Sequence, residues 1–192
     1  MILTRFITHL SSNLTKFFFI RHGKTLFNKE KRYTGLLNIS LSNEGIEEVN
    51  RSLPLLEKQN ISIIYSSPLL RAMQTAEIIA KHLNIPIVII DEFKERSFGS
   101  FSGKRKLQFK KKYFPDGQSF YKYKQTTLKG FFRANIYNNS LIVAHSGTYK
   151  ILAKYYEGRY IKNSIENATP VSFKLKNANA NSINTWELSK LT

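Results

Sequence analysis

With 192 residues, 42% hydrophobic and 13% aromatic, the chain has material for one sizeable core and too little length for two. It contains no cysteine, which excludes disulfides, thiolate metal sites and a cysteine nucleophile. The formal net charge of +17 is spread along the chain, with one dense stretch at Lys104, Arg105, Lys106, Lys110, Lys111 and Lys112 and no nucleic-acid-binding motif, so we read it as a bias toward lysine, asparagine and isoleucine and expect no nucleic acid partner.

Residues 1–15 carry Arg5 and His9 but no acid, and are expected to be a flexible extension ahead of a single domain over 16–192. No secretory signal or membrane span is expected, because no apolar run approaches the ~20 residues a span requires. Residues 17–20 form a short apolar run, the pattern of a strand buried on both faces, and it stops on Arg21-His22-Gly23. In α/β sheets ligands bind beyond the carboxyl ends of the strands. A cation, an imidazole and a permissive glycine thus arrive where a crevice belongs, and Thr25 and Asn28 add a hydroxyl and an amide. Alone, such a tripeptide is more often a loop with a solvated arginine.

Residues 29–40 read as a loop around Thr34-Gly35. A helix follows from Ser42 or Asn43, with Glu44, Glu47 and Glu48 near its positive end, and Pro54 predicts a kink or a division within it. Residues 61–66 form a second strand. Ser67 is then the expected cap and Pro68 the first residue of a helix to about residue 83, which sets Arg71 in the first turn, at the same sheet edge as His22. The third strand is 87–90, followed by a polar run containing Glu95 and a glycine-rich loop over 97–103. Helices are predicted over 104–113 and 120–133. Residues 141–144 are a fourth strand that ends on His145-Ser146-Gly147, and a helix to about residue 156 follows. Two strands, 170–175 and 184–188, are expected to form an edge ribbon. Strands alternating with helices predict a mostly parallel sheet covered on both faces, a three-layer α/β/α domain.

Taken together these blocks resemble the histidine phosphatase superfamily, over residues 17 to about 173. Its signature Arg-His-Gly-x-Thr-x-x-Asn is met by Arg21, His22, Gly23, Thr25 and Asn28, followed by Thr34-Gly35 and Leu41-Ser42-Asn43-Glu44-Gly45. Tyr65-Ser66-Ser67-Pro68-Leu69 with Arg71-Ala72 and Gln74-Thr75-Ala76 is a close match. Glu95 with Phe98-Gly99 and Gly103 resembles the acid block, and Val143-Ala144-His145-Ser146-Gly147 the second-histidine block. The chain departs at Asn38, where many members carry Asp, at Phe101-Ser102-Gly103 in place of Trp-Glu-Gly, and at Gln118 within the stretch where Gly-Glu-Ser is usual.

The resemblance implies a phosphoglycerate mutase-like fold and phosphomonoester hydrolysis through a phosphohistidine, with no metal and no cofactor. It makes His22 the nucleophile, sets Arg21, Arg71 and His145 around the phosphoryl oxygens, and makes Glu95 the acid and then the base. It assigns substrate binding to Asn28, Thr34, Gly35, Ser146 and Gly147. Family mutases carry longer insertions near the acid block, so the compact stretch 99–119 favours a phosphatase. A cofactor-dependent phosphoglycerate mutase and a non-catalytic phospho-ligand-binding protein are the alternatives. The expected partner is a small phosphorylated metabolite, the expected setting the cytoplasm, and the expected state a monomer or homodimer.

Overall fold

The structure is a computed structural model in which residues 15–106, 114–157, 164–176 and 185–192 are described. The expected extension, apart from Thr15, lies outside the described residues. So does 107–113 of the expected helix at 104–113, and Arg105, near its start, instead forms an antiparallel bridge to Arg32.

Six strands, β1 (Lys16–Arg21), β2 (Ile63–Ser66), β3 (Ile87–Ile89), β4 (Ser140–Ala144), β5 (Pro170–Lys176) and β6 (Thr185–Lys190), form one sheet in the order β3-β2-β4-β1-β5-β6. The first four are parallel, whereas β5 runs antiparallel to β1 and β6 antiparallel to β5. The pleat of β1 explains its continuous apolar run. Phe17 and Phe19 enter one core with Phe131, Tyr149, Leu152 and Phe173, and Phe18 and Ile20 enter the other with Val49, Leu56, Ala72 and Ile79. All four side chains are fully buried, each stabilising the fold by about 1.5–3 kcal/mol. Helices α2 (Asn43–Glu57) and α3 (Leu70–Leu83) cover the Phe18 face, and α4 (Phe120–Arg133) and α5 (Ser146–Glu157) cover the Phe17 face; a short α1 (Leu26–Lys29) follows β1.

The last two strands form the expected ribbon at one edge of the sheet: β6 pairs antiparallel with β5, and β5 pairs with β1 from Lys16↔Lys174 to Ile20↔Pro170, where Phe173 stacks on Phe17 at 4.6 Å. Two expectations need correction. α2 is not divided at Pro54, because Val49 and Leu56 bury the same stripe on either side and offset the missing hydrogen bond. Ser67 does not cap a helix. α3 starts at Leu70 without a side-chain cap from Leu69, and the Leu70 N–H donates instead to Asn38 Oδ1 at 2.7 Å. Asn38, a departure from the family pattern, thus supplies the acceptor at the amino end of α3.

The sheet also fixes where a crevice can form. β1 leads to α2 on one face and its neighbour β4 leads to α5 on the other, so the chain parts at their carboxyl ends. Backbone closeness keeps that edge compact. A Cβ on Gly45, near the start of α2, would lie 2.0 Å from the Lys24 carbonyl oxygen, so only glycine lets the helix sit against the turn after β1. Ser42 secures the junction, accepting from the Gly45 N–H and donating to the Lys24 carbonyl.

Candidate active site

The register of β1 against β4 pairs Arg21 with Ala144, so the next residues, His22 and His145, emerge side by side with ring centroids 5.3 Å apart. His22 is 4% exposed and His145 fully buried. His22 Nδ1 lies 2.8 Å from the Gly23 carbonyl oxygen, and Nε2 lies 3.2 Å from Arg71 Nε. A carbonyl can only accept and a guanidinium can only donate, so Nδ1 carries the proton and Nε2 the lone pair. Burial first, then the charges of Arg71 and Arg21, push the His22 pKa well below the usual histidine value, against the opposing pull of the Gly23 carbonyl. The ring is therefore a neutral nitrogen base at neutral pH.

Arg71 is 1% exposed and spends its other donors on the backbone, Nη1 on Leu37 O and Nη2 on Gly35 O, both at 2.9 Å. Burial lowers its pKa to about 10, which leaves it cationic. Arg21 donates through Nη1 to Ile165 O at 2.8 Å. Among the described residues three buried side-chain polar atoms lack a partner, and two of them, Arg21 Nε and His145 Nδ1, belong to groups flanking His22. His145 Nε2 meets Ser67 Oγ at 2.8 Å, and that oxygen already accepts from the Leu69 N–H. With the Ser67 hydroxyl donating to His145 Nε2, the imidazole proton sits on Nδ1, which meets no acceptor among the described residues. Burial, then Arg71, His22 and Arg21, also hold His145 well below the ordinary histidine pKa.

Thr25 caps α1 reciprocally with Asn28. Asn28 Oδ1 accepts from the Thr25 N–H and hydroxyl, and Asn167 Nδ2 approaches it at 3.3 Å while donating to His22 O at 2.8 Å. The oxygen being occupied, the Asn28 amide nitrogen is the atom left for a ligand. Glu95 follows the 3₁₀ turn Asp91–Phe93; its carboxylate accepts from the Arg96 N–H at 2.9 Å and the Gly147 N–H at 3.4 Å. A Cβ on Gly147 would fall 2.5 Å from Glu95 Oε1 and 2.7 Å from the Tyr123 hydroxyl, so glycine is what allows α5 to start against the acid. Tyr123, buried on α4, bonds Thr148, and burial and the nearby Glu95 push its pKa far above the usual value.

A cleft of about 250 Å³ brings together Arg21, His22, Asn28, Thr34, Gly35, Arg71, Glu95, Ser146 and Gly147. Of the ten residues expected at the site, His145 alone stands behind the lining, packed against His22. Sequence reading did not assign the rest of the lining to the site: Arg96, Phe98, Lys106, Phe120, Tyr123, Lys150 and Ser164. Lys106 belongs to the lysine-rich stretch at 104–112, whose charge was its only signal. Ser67, expected only as a helix cap, and Asn167, which nothing local in the sequence marks, support the site from behind. Among the described residues no group of three or more His, Cys, Asp or Glu could hold a metal ion, and no helix is long and apolar enough to cross a membrane.

The comparisons agree with this geometry. The model of the histidine phosphatase superfamily, branch 1, matches residues 17–187. A Bacillus subtilis protein described as an uncharacterized phosphatase, PhoE, is 32% identical over 146 residues, covering 72% of this chain and 76% of its own length. The 2,3-bisphosphoglycerate-dependent phosphoglycerate mutase of Bifidobacterium longum is 33% identical over 103 residues, and the match spans 51% of this chain but only 42% of the mutase. The fold is shared with the alpha-ribazole phosphatase from Shigella flexneri at a TM-score of 0.75 and 22% identity, covering 92% of this chain and 95% of that one. It is shared too with the mycobacterial glucosyl-3-phosphoglycerate phosphatase, at 0.74 and 18%, covering 92% and 97%. The paired histidines at neighbouring strand ends, the match over most of the chain and the PhoE relationship lead to one conclusion: this chain belongs to the histidine phosphatase superfamily, branch 1.

Proposed function

We propose that the chain is a metal-independent phosphomonoester hydrolase that acts in the cytoplasm on a small phosphorylated metabolite through a phosphohistidine on His22. The observation that carries this reading is the fixed tautomer of His22, a buried neutral imidazole whose Nε2 lone pair is held by a cation on the floor of a cation-rich cleft. As a phosphoryl group enters, Arg71 Nε passes from Nε2 to a phosphoryl oxygen. The lone pair then attacks phosphorus while the bond to the leaving oxygen breaks. Arg71, Arg21, His145 Nδ1–H, the Asn28 amide and the backbone at Gly147 are the donors available to the phosphoryl oxygens, and the two unpartnered buried donors gain acceptors there.

Glu95, in the cleft lining beside Gly147, delivers its proton to the leaving oxygen. As carboxylate it then takes a proton from the water that attacks phosphohistidine, and the P–N electron pair returns to Nε2. The mutase alternative draws on relatives of which this chain covers less than half, whereas the phosphatase relative is matched over most of its length. Acid-labile phosphate trapped on His22 during turnover, and its disappearance with activity in His22→Ala, is the expected result. Label on Ser or Asp, or a fully active His22→Ala protein, overturns the reading. Turnover is also expected to survive exhaustive chelation, and activity that vanishes and returns with a divalent ion removes the metal-independent part.

A further inference from the structure

A second cleft, of about 380 Å³, adjoins the first and shares Arg21, Asn28, Lys106 and Ser164 with it; Lys24, Lys31 and Asn167 complete its lining. Among the described residues its lining has four cations, no carboxylate and no apolar side chain, unlike the mainly apolar sites that take uncharged ligands. Glu95 lines only the first cleft, and three other nearby acids are already committed. Glu44 and Glu48 hold Lys24 at 2.5 and 2.7 Å, and Glu30 holds Arg32. Among the described residues Lys31 and Lys106 form no ion pair with a carboxylate, and Arg21 Nε, buried between the clefts' shared residues, has no partner.

The main chain brings these two lysines together. Lys106 N–H donates to Lys31 O at 2.8 Å, and the Tyr33 N–H donates to Lys104 O at 2.9 Å, so the turn after α1 is zipped to the end of the acid loop. Lys31 adopts φ +54°, a left-handed conformation that costs a side-chain-bearing residue about 1–2 kcal/mol and that glycine or asparagine takes more readily. Backbone preference therefore does not account for a lysine there. Lys106 is exposed as a residue, yet partial desolvation of its ammonium and then the charge of Arg21 lower its hold on a proton, with Glu95 opposing and Lys150 adding to the effect.

Resting on the reading of the first cleft as a phosphoryl site, we propose that the second cleft is a subsite for a phosphate-class anion, held by Lys31 and Lys106 beside Arg21. The anion is either the second phosphoryl group of a bisphosphorylated substrate or a free phosphate ion. Both present several oxygen acceptors to clustered cations, and charge-assisted hydrogen bonds are about twice as strong as neutral ones.

The deciding variant is Lys31→Asn, which removes the charge while suiting the left-handed backbone better than lysine, with Lys31→Arg restoring the charge. Hydrolysis of a hexose bisphosphate is compared with that of the matching monophosphate, and inorganic phosphate is titrated calorimetrically into each protein. A bisphosphate preference that falls about tenfold in Lys31→Asn and is kept in Lys31→Arg places the anion on the substrate. An unaltered preference with phosphate stoichiometry falling from two to one identifies free phosphate. Unchanged preference with unchanged stoichiometry overturns the subsite. If the wild-type protein hydrolyses neither ester, the proposed function fails by itself, and the phosphate stoichiometry still decides the subsite.

Discussion

The floor of the cleft and its rim are built from different kinds of structure. On the floor, His22 and His145 leave adjacent parallel strands, Arg71 opens α3, and none of the three is more than 4% exposed. Each makes at least one hydrogen bond that fixes a ring or a guanidinium. On the rim, Glu95, Arg96, Phe98 and Lys106 come from turns and bends between Asp91 and Lys106, and Phe120 starts α4 at 48% exposure. Under the proposed function the difference has a reason: a phosphoryl group is the same in every ester, so groups that grip it gain from a rigid setting, whereas leaving groups differ and would meet the irregular chain of the rim.

The widest separation of floor from rim comes from Arg71→Ala. Removing a donor from developing phosphoryl charge is expected to cost on the order of 2–4 kcal/mol, alike for alkyl and aryl phosphates. Steady-state kinetics on a leaving-group series checks this, with thermal unfolding of the variant as the folding control. A loss that grows with leaving-group basicity would move Arg71 from the floor to the rim.

Glu95→Gln should behave oppositely. Hydrolysis of an alkyl phosphate is expected to fall by ~10²-fold or more, while the burst of an activated aryl phosphate is largely spared because its leaving oxygen needs no proton. Equal loss of burst rate for both esters would remove Glu95 as the acid and direct attention to Glu92, which lies nearby but is held by Arg133 at 2.6 Å.

The floor should also reveal itself in stability. The unfolded chain protonates His22 and His145 near the ordinary value of about 6.5, whereas the folded chain keeps both neutral well below it. Below that pH the unfolded state binds more protons, so stability is full above the unfolded pKa and declines as pH falls, by up to about 1.4 kcal/mol per pH unit for each ring until its folded pKa is reached. Urea unfolding between neutral and mildly acidic pH should show a shallower decline for His145→Gln than for the wild type. Identical slopes would contradict the buried neutral state of His145.

The smallest expected effect lies on the rim. Phe120→Ala is expected to raise KM for esters with aromatic leaving groups by about fivefold, the scale of one partly exposed ring contact, with little change for a small alkyl phosphate. Comparable shifts for both would mean that Phe120 shapes the floor as well.

Much of the floor was legible in the sequence because its signals are local. An apolar run such as residues 17–20 ends where it meets Arg21-His22-Gly23, and a parallel strand delivers the residues that follow it to the ligand edge of the sheet. The same logic found Arg71, His145 and Gly147, and the family resemblance supplied the role of Glu95. Local signals also misled: Ser67-Pro68 has the form of a helix start, yet the Ser67 hydroxyl is taken by His145, which only the neighbouring strand β4 brings within reach. Asn167 comes from the turn before β5, Tyr123 from α4 and Lys106 from a loop zipped to Lys31, contacts between residues far apart in the chain. Periodicity and turn chemistry act over a few residues and therefore determined the strands, the helices and the residues at their ends. Which strand lies beside which is settled by burying two cores against one sheet, a long-range condition, and that alone placed His22 against His145 and built the rim.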